Sequence, residues 1–296
     1  MSKTGTRILP CAHSPAVVAQ VKPAQDLLVD LDTIAPDLLR EHHVEPFDYR
    51  NSQVFRTAVE SIRGHFAASM TGPRQEYVAG VLSTMVSAGL VSGFEPAHQT
   101  ERWDYQVRLG ESPQRIGTVE VKGGEGNSLN ISERWPYTQE FVVWCHLDGA
   151  IQNDPSVSVR AIIGRLVGDI VKRKKLIDAL IIRDRLCGTR LRPCPKYPDG
   201  NPPSELGPAP DVFLFPQQVP DMVKNPCPRV HTESTCSLPF RVLDAYGVEK
   251  RDYDCHVWQV EIEVTGGTQN EAQVVNRRVC IKHNGRVMRE GTQKLR

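Results

Sequence analysis

The chain has 296 residues, 40% hydrophobic and 24% charged, with a formal net charge of +1. That length can bury a sizeable core, as one large domain or as a core with an appended region. No apolar run approaches the ~18–20 residues that cross a bilayer and no signal peptide is recognisable, so a cytoplasmic protein with no membrane partner is expected. The eight cysteines show no paired framework, which fits a reducing compartment.

Taken in chain order, residues 1–50 are poorly periodic, although 26–40 could hold a short helix. Residues 54–70 carry Phe55, Ala58, Val59, Ile62 and Phe66 at helical spacing. A second helix is predicted over 73–88: Pro73 suits its first turn, and Val78, Val81, Leu82, Met85 and Val86 fall on one face. Two alternating segments, 102–109 and 115–122, flank the turn Gly110-Glu111-Ser112-Pro113-Gln114 and read as a hairpin. A buried strand comes next at 140–147. After it stand a helix over 158–172 with the stripe Ile162, Ile163, Leu166, Val167, Ile170 and Val171, then a strand at 177–182. Twelve of the 22 prolines lie between Pro193 and Pro239, so 186–240 reads as loop-rich with a short strand near 211–215. A loop of that length in a compact domain is usually functional. The tail returns to strands at 257–264 and 274–282, where Asn284-Gly285 signals a hairpin into 286–288.

The chemistry concentrates in the first hairpin. Asp104 stands on one strand and Glu120-Val121-Lys122 on the next, and no other lysine of the chain has an acid two residues before it. Alternation along a strand puts Glu120 and Lys122 on one face. Two acids that can share a divalent ion, with an ammonium beside them, are the equipment of metal-dependent phosphodiester hydrolysis.

The segments Trp103-Asp104-Tyr105-Gln106-Val107 and Gly117-Thr118-Val119-Glu120-Val121-Lys122-Gly123-Gly124, in an order helix, three strands, helix, strand, resemble the PD-(D/E)xK nuclease superfamily. The resemblance covers roughly residues 73–184 and departs from the motif in having Trp103 where the naming proline would stand. It implies an α/β fold with a restriction-endonuclease-like core (αβββαβ, a central mixed sheet flanked by helices), carrying loop-rich and β insertions. The corresponding division is a helical region at 1–72, a nuclease core at 73–184, and a loop-rich and β region at 185–296 that contributes DNA-recognition elements.

The resemblance also implies roles. Asp104 and Glu120 would hold Mg²⁺, with the carbonyl of Val121 as a further ligand and Glu76 as a fourth acid. Glu76 in a first helical turn is equally explained by the helix dipole. Lys122 would orient the attacking water and touch the scissile phosphate. Between Arg160 and Lys196 eleven basic residues face three acids, an excess of eight. Of these, Lys172, Arg173, Lys174, Arg183, Arg185, Arg190 and Arg192 are the candidate DNA contacts, and phosphate contacts need such local excess.

No P-loop, helicase or methyltransferase motif is present, so no nucleotide cofactor is expected. The expectation is a type II restriction endonuclease-like enzyme that cuts double-stranded DNA to leave 5′-phosphates, as a homodimer matching a palindromic site. The alternatives are a repair or phage nuclease on the same core and a non-catalytic DNA-binding protein. A structural zinc drawn from Cys187, Cys194, Cys227, Cys236, His231 and His256 is disfavoured by the lack of a close cysteine pair.

Overall fold

The computed structural model describes residues 30–51, 71–97, 103–110, 114–123, 131–147, 159–184, 201–269 and 272–295, with isolated positions at 23, 26–28 and 156. Nine strands form one mixed sheet in simple sequence order: β1 (Gly93–Pro96), β2 (Tyr105–Arg108), β3 (Ile116–Gly123), β4 (Glu140–Leu147), β5 (Ala179–Asp184), β6 (Asp211–Leu214), β7 (Val257–Gln269), β8 (Ala272–His283) and β9 (Arg286–Leu295). The described helices are three short ones, α1 (Leu31–Ile34), α2 (Pro36–Glu41) and α3 (Pro46–Asn51), then α4 (Thr71–Ser87), α5 (Arg160–Arg173) and α6 (Leu238–Ala245), with a 3₁₀ turn at Lys250–Cys255.

β1, β2 and β3 form an antiparallel meander; β4 and β5 then lie parallel to β3, and α5 is the crossover between them. All eight residues of β4 are buried, because a central parallel strand is covered on both faces. One face packs under α5, whose six predicted stripe residues are all buried beside Val143, Cys145, Leu180, Ile182 and Trp258. The other face packs under α4 and α6, where Val78, Val81, Leu82 and Met85 meet Val142, Trp144, Ile181 and Leu243. Val86, predicted for the same stripe, is instead 38% exposed. Gly89, at φ 70°, closes that helix: Leu90 N donates to Met85 O and Gly89 N to Val86 O.

Two differences from the sequence expectation matter. The meander opens with β1, four residues that are too short to show an alternation, so four strands rather than three precede α5. Beyond residue 184 the chain extends the same sheet: β6 pairs antiparallel with β5, β7 parallel with β6, and β8 and β9 complete a long meander. The β8–β9 link is the predicted two-residue turn, with Asn284 at φ 51° and Gly285 at φ 71° between paired His283 and Arg286. The helix predicted at 54–70 lies outside the described residues. The 26–40 prediction resolves into α1 and α2, broken where Pro36 starts a new helix.

Candidate active site

β2 and β3 place the predicted trio at one corner of the sheet. Tyr105 pairs with Val119, so Asp104 sits just before the ladder, and its amide donates to the Val119 carbonyl at 3.0 Å. Its carboxylate then takes up a strand-edge position: Oδ2 accepts from Val121 N at 2.6 Å and Oδ1 from Gln75 Nε2 at 2.5 Å. In an extended strand the N–H and C=O of one residue point to the same edge, so the Val121 carbonyl lies on the edge that Asp104 occupies.

Glu120 and Lys122 stand on the α5 face. Their register partners on β4, Val143 and Cys145, belong to the cluster under that helix. Glu120 is 1% exposed, and a carboxylate so deep requires partners. It has Lys122 Nζ at 2.7 Å, Ser132 N at 2.9 Å and Ser132 Oγ at 3.0 Å. The Lys122 side chain keeps 30% of its surface against 2% for that of Glu120, so it bridges the buried acid and the outside. Cys145 lies beneath them; burial pushes its thiol up to about 12, with Lys122 and Arg74 pulling down and Glu120 pushing up.

α4 supplies what the hairpin lacks. Its first turns carry Arg74, Gln75, Glu76 and Tyr77 over the ends of β2, β3 and β4. Gln75 grips Asp104 through its side chain and the Tyr105 hydroxyl through its carbonyl, at 2.8 Å. Glu76 is exposed; with Asp104 it raises the Tyr105 hydroxyl pKa, to which burial contributes most. The residue of this turn in direct contact with Asp104 is therefore Gln75, one place before the predicted acid. Arg74 lies against Gly123, where a Cβ would overlap its guanidinium.

Ser132 reaches Glu120 because the segment 131–139 packs on the α5 face. Ile131 enters the core and Trp135 lies 5.1 Å from the Trp103 ring, tying the segment to the start of β2. Neither Gln75 nor Ser132 carries a sequence signal. Each acts across 29 and 12 residues respectively, through contacts that periodicity does not encode.

The predicted basic contacts do not gather here. Lys172, Arg173 and Lys174 are exposed at the C-terminal end of α5. As the crossover between parallel strands, that helix returns towards the start of β5, whereas Lys122 stands near the end of β3. Arg173 pairs with Asp169 at 3.3 Å. Arg183 lies 3.5 Å above the Tyr77 ring, nearer the site but on the α4 face. Arg185, Arg190 and Arg192 lie outside the described residues. An open groove lined by Leu90, Glu233, Phe240, Arg241 and Lys250 adjoins the far end of α4 and is separate from this corner.

Among the described residues no three His, Cys, Asp or Glu side chains gather as a metal site. Asp104, Glu120 and the Val121 carbonyl are oxygen donors, the kind preferred by a hard cation that also keeps waters. Three described members of the zinc alternative have other partners: His231 contacts Asp178 at 3.0 Å, the Cys236 thiol donates to Glu140 at 3.5 Å, and His256 Nδ1 lies 3.1 Å from the Pro210 carbonyl. Among the described residues no helix is long and apolar enough to cross a membrane. No family model, no curated protein and no solved structure matches this chain.

Proposed function

We propose that the chain is a Mg²⁺-dependent endonuclease of the restriction type, acting on double-stranded DNA, with a restriction-endonuclease-like core built from α4, β1–β5 and α5. The observation that carries this reading is that Asp104 accepts from Val121 N while Glu120 and Lys122, on either side of Val121 in the strand, pair at 2.7 Å, where β2 and β3 meet the first turns of α4. Asp104, Glu120 and the Val121 carbonyl would hold the ion. Bound there, Mg²⁺ would supply a more acidic water and positive charge beside the phosphate. Lys122 is placed to exchange its contact with Glu120 for the scissile phosphate and the attacking water. Gln75 and Ser132 hold the two carboxylates in position while that exchange occurs.

The same proposal sets the partners: duplex DNA, and a second copy of the chain, since a two-fold enzyme matches a palindromic site. One observation favours the non-catalytic alternative. Glu120 already has three donors, as a purely structural acid would.

Digestion of unmethylated phage DNA with Mg²⁺ and with EDTA separates these readings. Discrete Mg²⁺-dependent fragments sharing one end sequence are expected. Asp104→Asn and Glu120→Gln, which keep volume and part of the hydrogen bonding, should each reduce cleavage by at least ~10²-fold, as removal of key charge stabilisation does. Lys122→Ala should do the same. Mutants that cut at the wild-type rate would dismiss the assignment of these residues.

A further inference from the structure

Arg74 and Lys122 straddle the end of β3. Lys122 is on the α5 face, and Gly123, the next residue, has the Arg74 side chain of α4 against it. Across the sheet at this level run Gly123, His146 and Arg183, register partners in three parallel strands. α4 covers this row with two residues one turn apart. Arg74 occupies the space over Gly123, while Tyr77 meets the His146 ring edge-on at 5.8 Å and underlies Arg183. Only a residue without a side chain lets the guanidinium rest there. The start of α4 adds the positive end of a 17-residue helix at the same corner. The carboxyl ends of parallel strands are also where ligands of open α/β sheets bind.

We infer that Arg74 is a second phosphate-binding cation of this site, contacting the phosphodiester under attack, or the one beside it, from the α4 face while Lys122 contacts it from the α5 face. Gly123 is then the residue that makes room for it. The ligand class is a phosphodiester of a nucleic-acid backbone, and the inference rests on the nuclease reading above. A guanidinium suits the task because its planar fork can engage two phosphate oxygens, which an ammonium cannot.

The test compares wild type, Arg74→Ala, Arg74→Lys and Gly123→Ala, each checked for a native melting transition. Two readouts are used: nicking of supercoiled plasmid in Mg²⁺ at enzyme excess, and the salt dependence of binding to a 30-bp duplex in Ca²⁺. Arg74→Ala should slow nicking by roughly 10²-fold and flatten the salt slope by about one phosphate contact. Arg74→Lys should recover part of the rate, and Gly123→Ala should shift both readouts in the direction of Arg74→Ala. If wild type nicks and Arg74→Ala nicks within twofold of it, the role of Arg74 is overturned while the nuclease reading stands. If wild type does not nick, the nuclease reading fails by itself; a flattened slope then still supports Arg74 as a phosphate contact, and an unchanged slope or absent binding overturns it. Should Arg74→Ala fail to fold, Arg74→Lys and Gly123→Ala decide by the same criteria.

Discussion

At the scale of single residues, the candidate site is a set of charges each given a fixed partner. Glu120 is held by Lys122 and Ser132, Asp104 by Gln75 and the Val121 amide, and beneath Glu120 and Lys122 lies a thiol that burial keeps protonated. Cys145 therefore reports on whether the corner is closed. With the thiol pushed up to about 12, its thiolate fraction at pH 8 is on the order of 10⁻⁴, and the thiolate is the reactive form. Iodoacetamide at pH 8 should leave Cys145 unmodified in the native protein and alkylate it in urea, as peptide mass mapping would read; rapid native alkylation would mean the corner opens. Asp104, Glu120 and Lys122 were legible in the sequence because acid-x-Lys on an alternating strand has a fixed geometry. Gln75, Ser132 and Arg74 were not, because their roles depend on how a helix and a loop lie across the sheet. Nothing in the sequence around Ser132 marks it as the donor to Glu120.

At the scale of elements, periodicity located those that bury one stripe or run wholly apolar. β4 matches its predicted bounds, and α5 buries every predicted residue. α6 escaped because it begins at the end of the proline-rich stretch, with Leu238-Pro239. Its N-terminus is not capped by its own Ser237 side chain but by Glu140, the first residue of β4. That carboxylate accepts from Leu238 N at 2.7 Å and from Ser237 N at 2.9 Å, and pairs with Arg115 at 2.9 Å. Gly117 lets Leu238 come close, since a Cβ there would stand 2.8 Å from its side chain. One acid thus joins β3, β4 and α6, and α6 in turn completes the layer over Val142 and Trp144. Glu140→Ala leaves the Ser237 and Leu238 amides without this acceptor and removes the contact to Arg115, and should lower stability by about 3–5 kcal/mol, as removing one member of a buried ion pair does. Glu140→Gln keeps an acceptor and should cost about 1.5–3 kcal/mol. Urea unfolding curves compare the two. A loss below about 1 kcal/mol for the alanine variant would mean that α6 does not depend on this cap.

At the scale of the molecule, the shift to proline-rich sequence near residue 185 reads as a boundary, yet the sheet passes through it. Composition reports how a connection is built, not whether the chain returns to the sheet it left. β6 closes the open edge of β5 by pairing Leu214, Phe213 and Val212 with Ala179, Leu180 and Ile181. Both clusters depend on side chains from beyond that boundary: Phe213, Phe215, Trp258, Val260 and Ile262 lie under α5, while Leu238, Leu243 and Tyr246 lie with α4. Each large apolar side chain contributes roughly 1.5–3 kcal/mol on burial, so these eight together are comparable to or larger than the ~5–15 kcal/mol by which a domain is normally stable. A fragment of residues 71–184 would also leave the edge of β5 unpaired, a ready template for association. That fragment should therefore lack a cooperative melting transition, bind a hydrophobic dye, and lose near-ultraviolet circular dichroism while keeping much of its helical signal. The full chain should melt with near-coincident transitions by tryptophan fluorescence and by far-ultraviolet circular dichroism, because Trp144 and Trp258 sit in the two layers that the one sheet joins. A fragment with a sharp, reversible melt would show instead that the candidate site rests on a self-sufficient core, with β6–β9 added to it without being required for it.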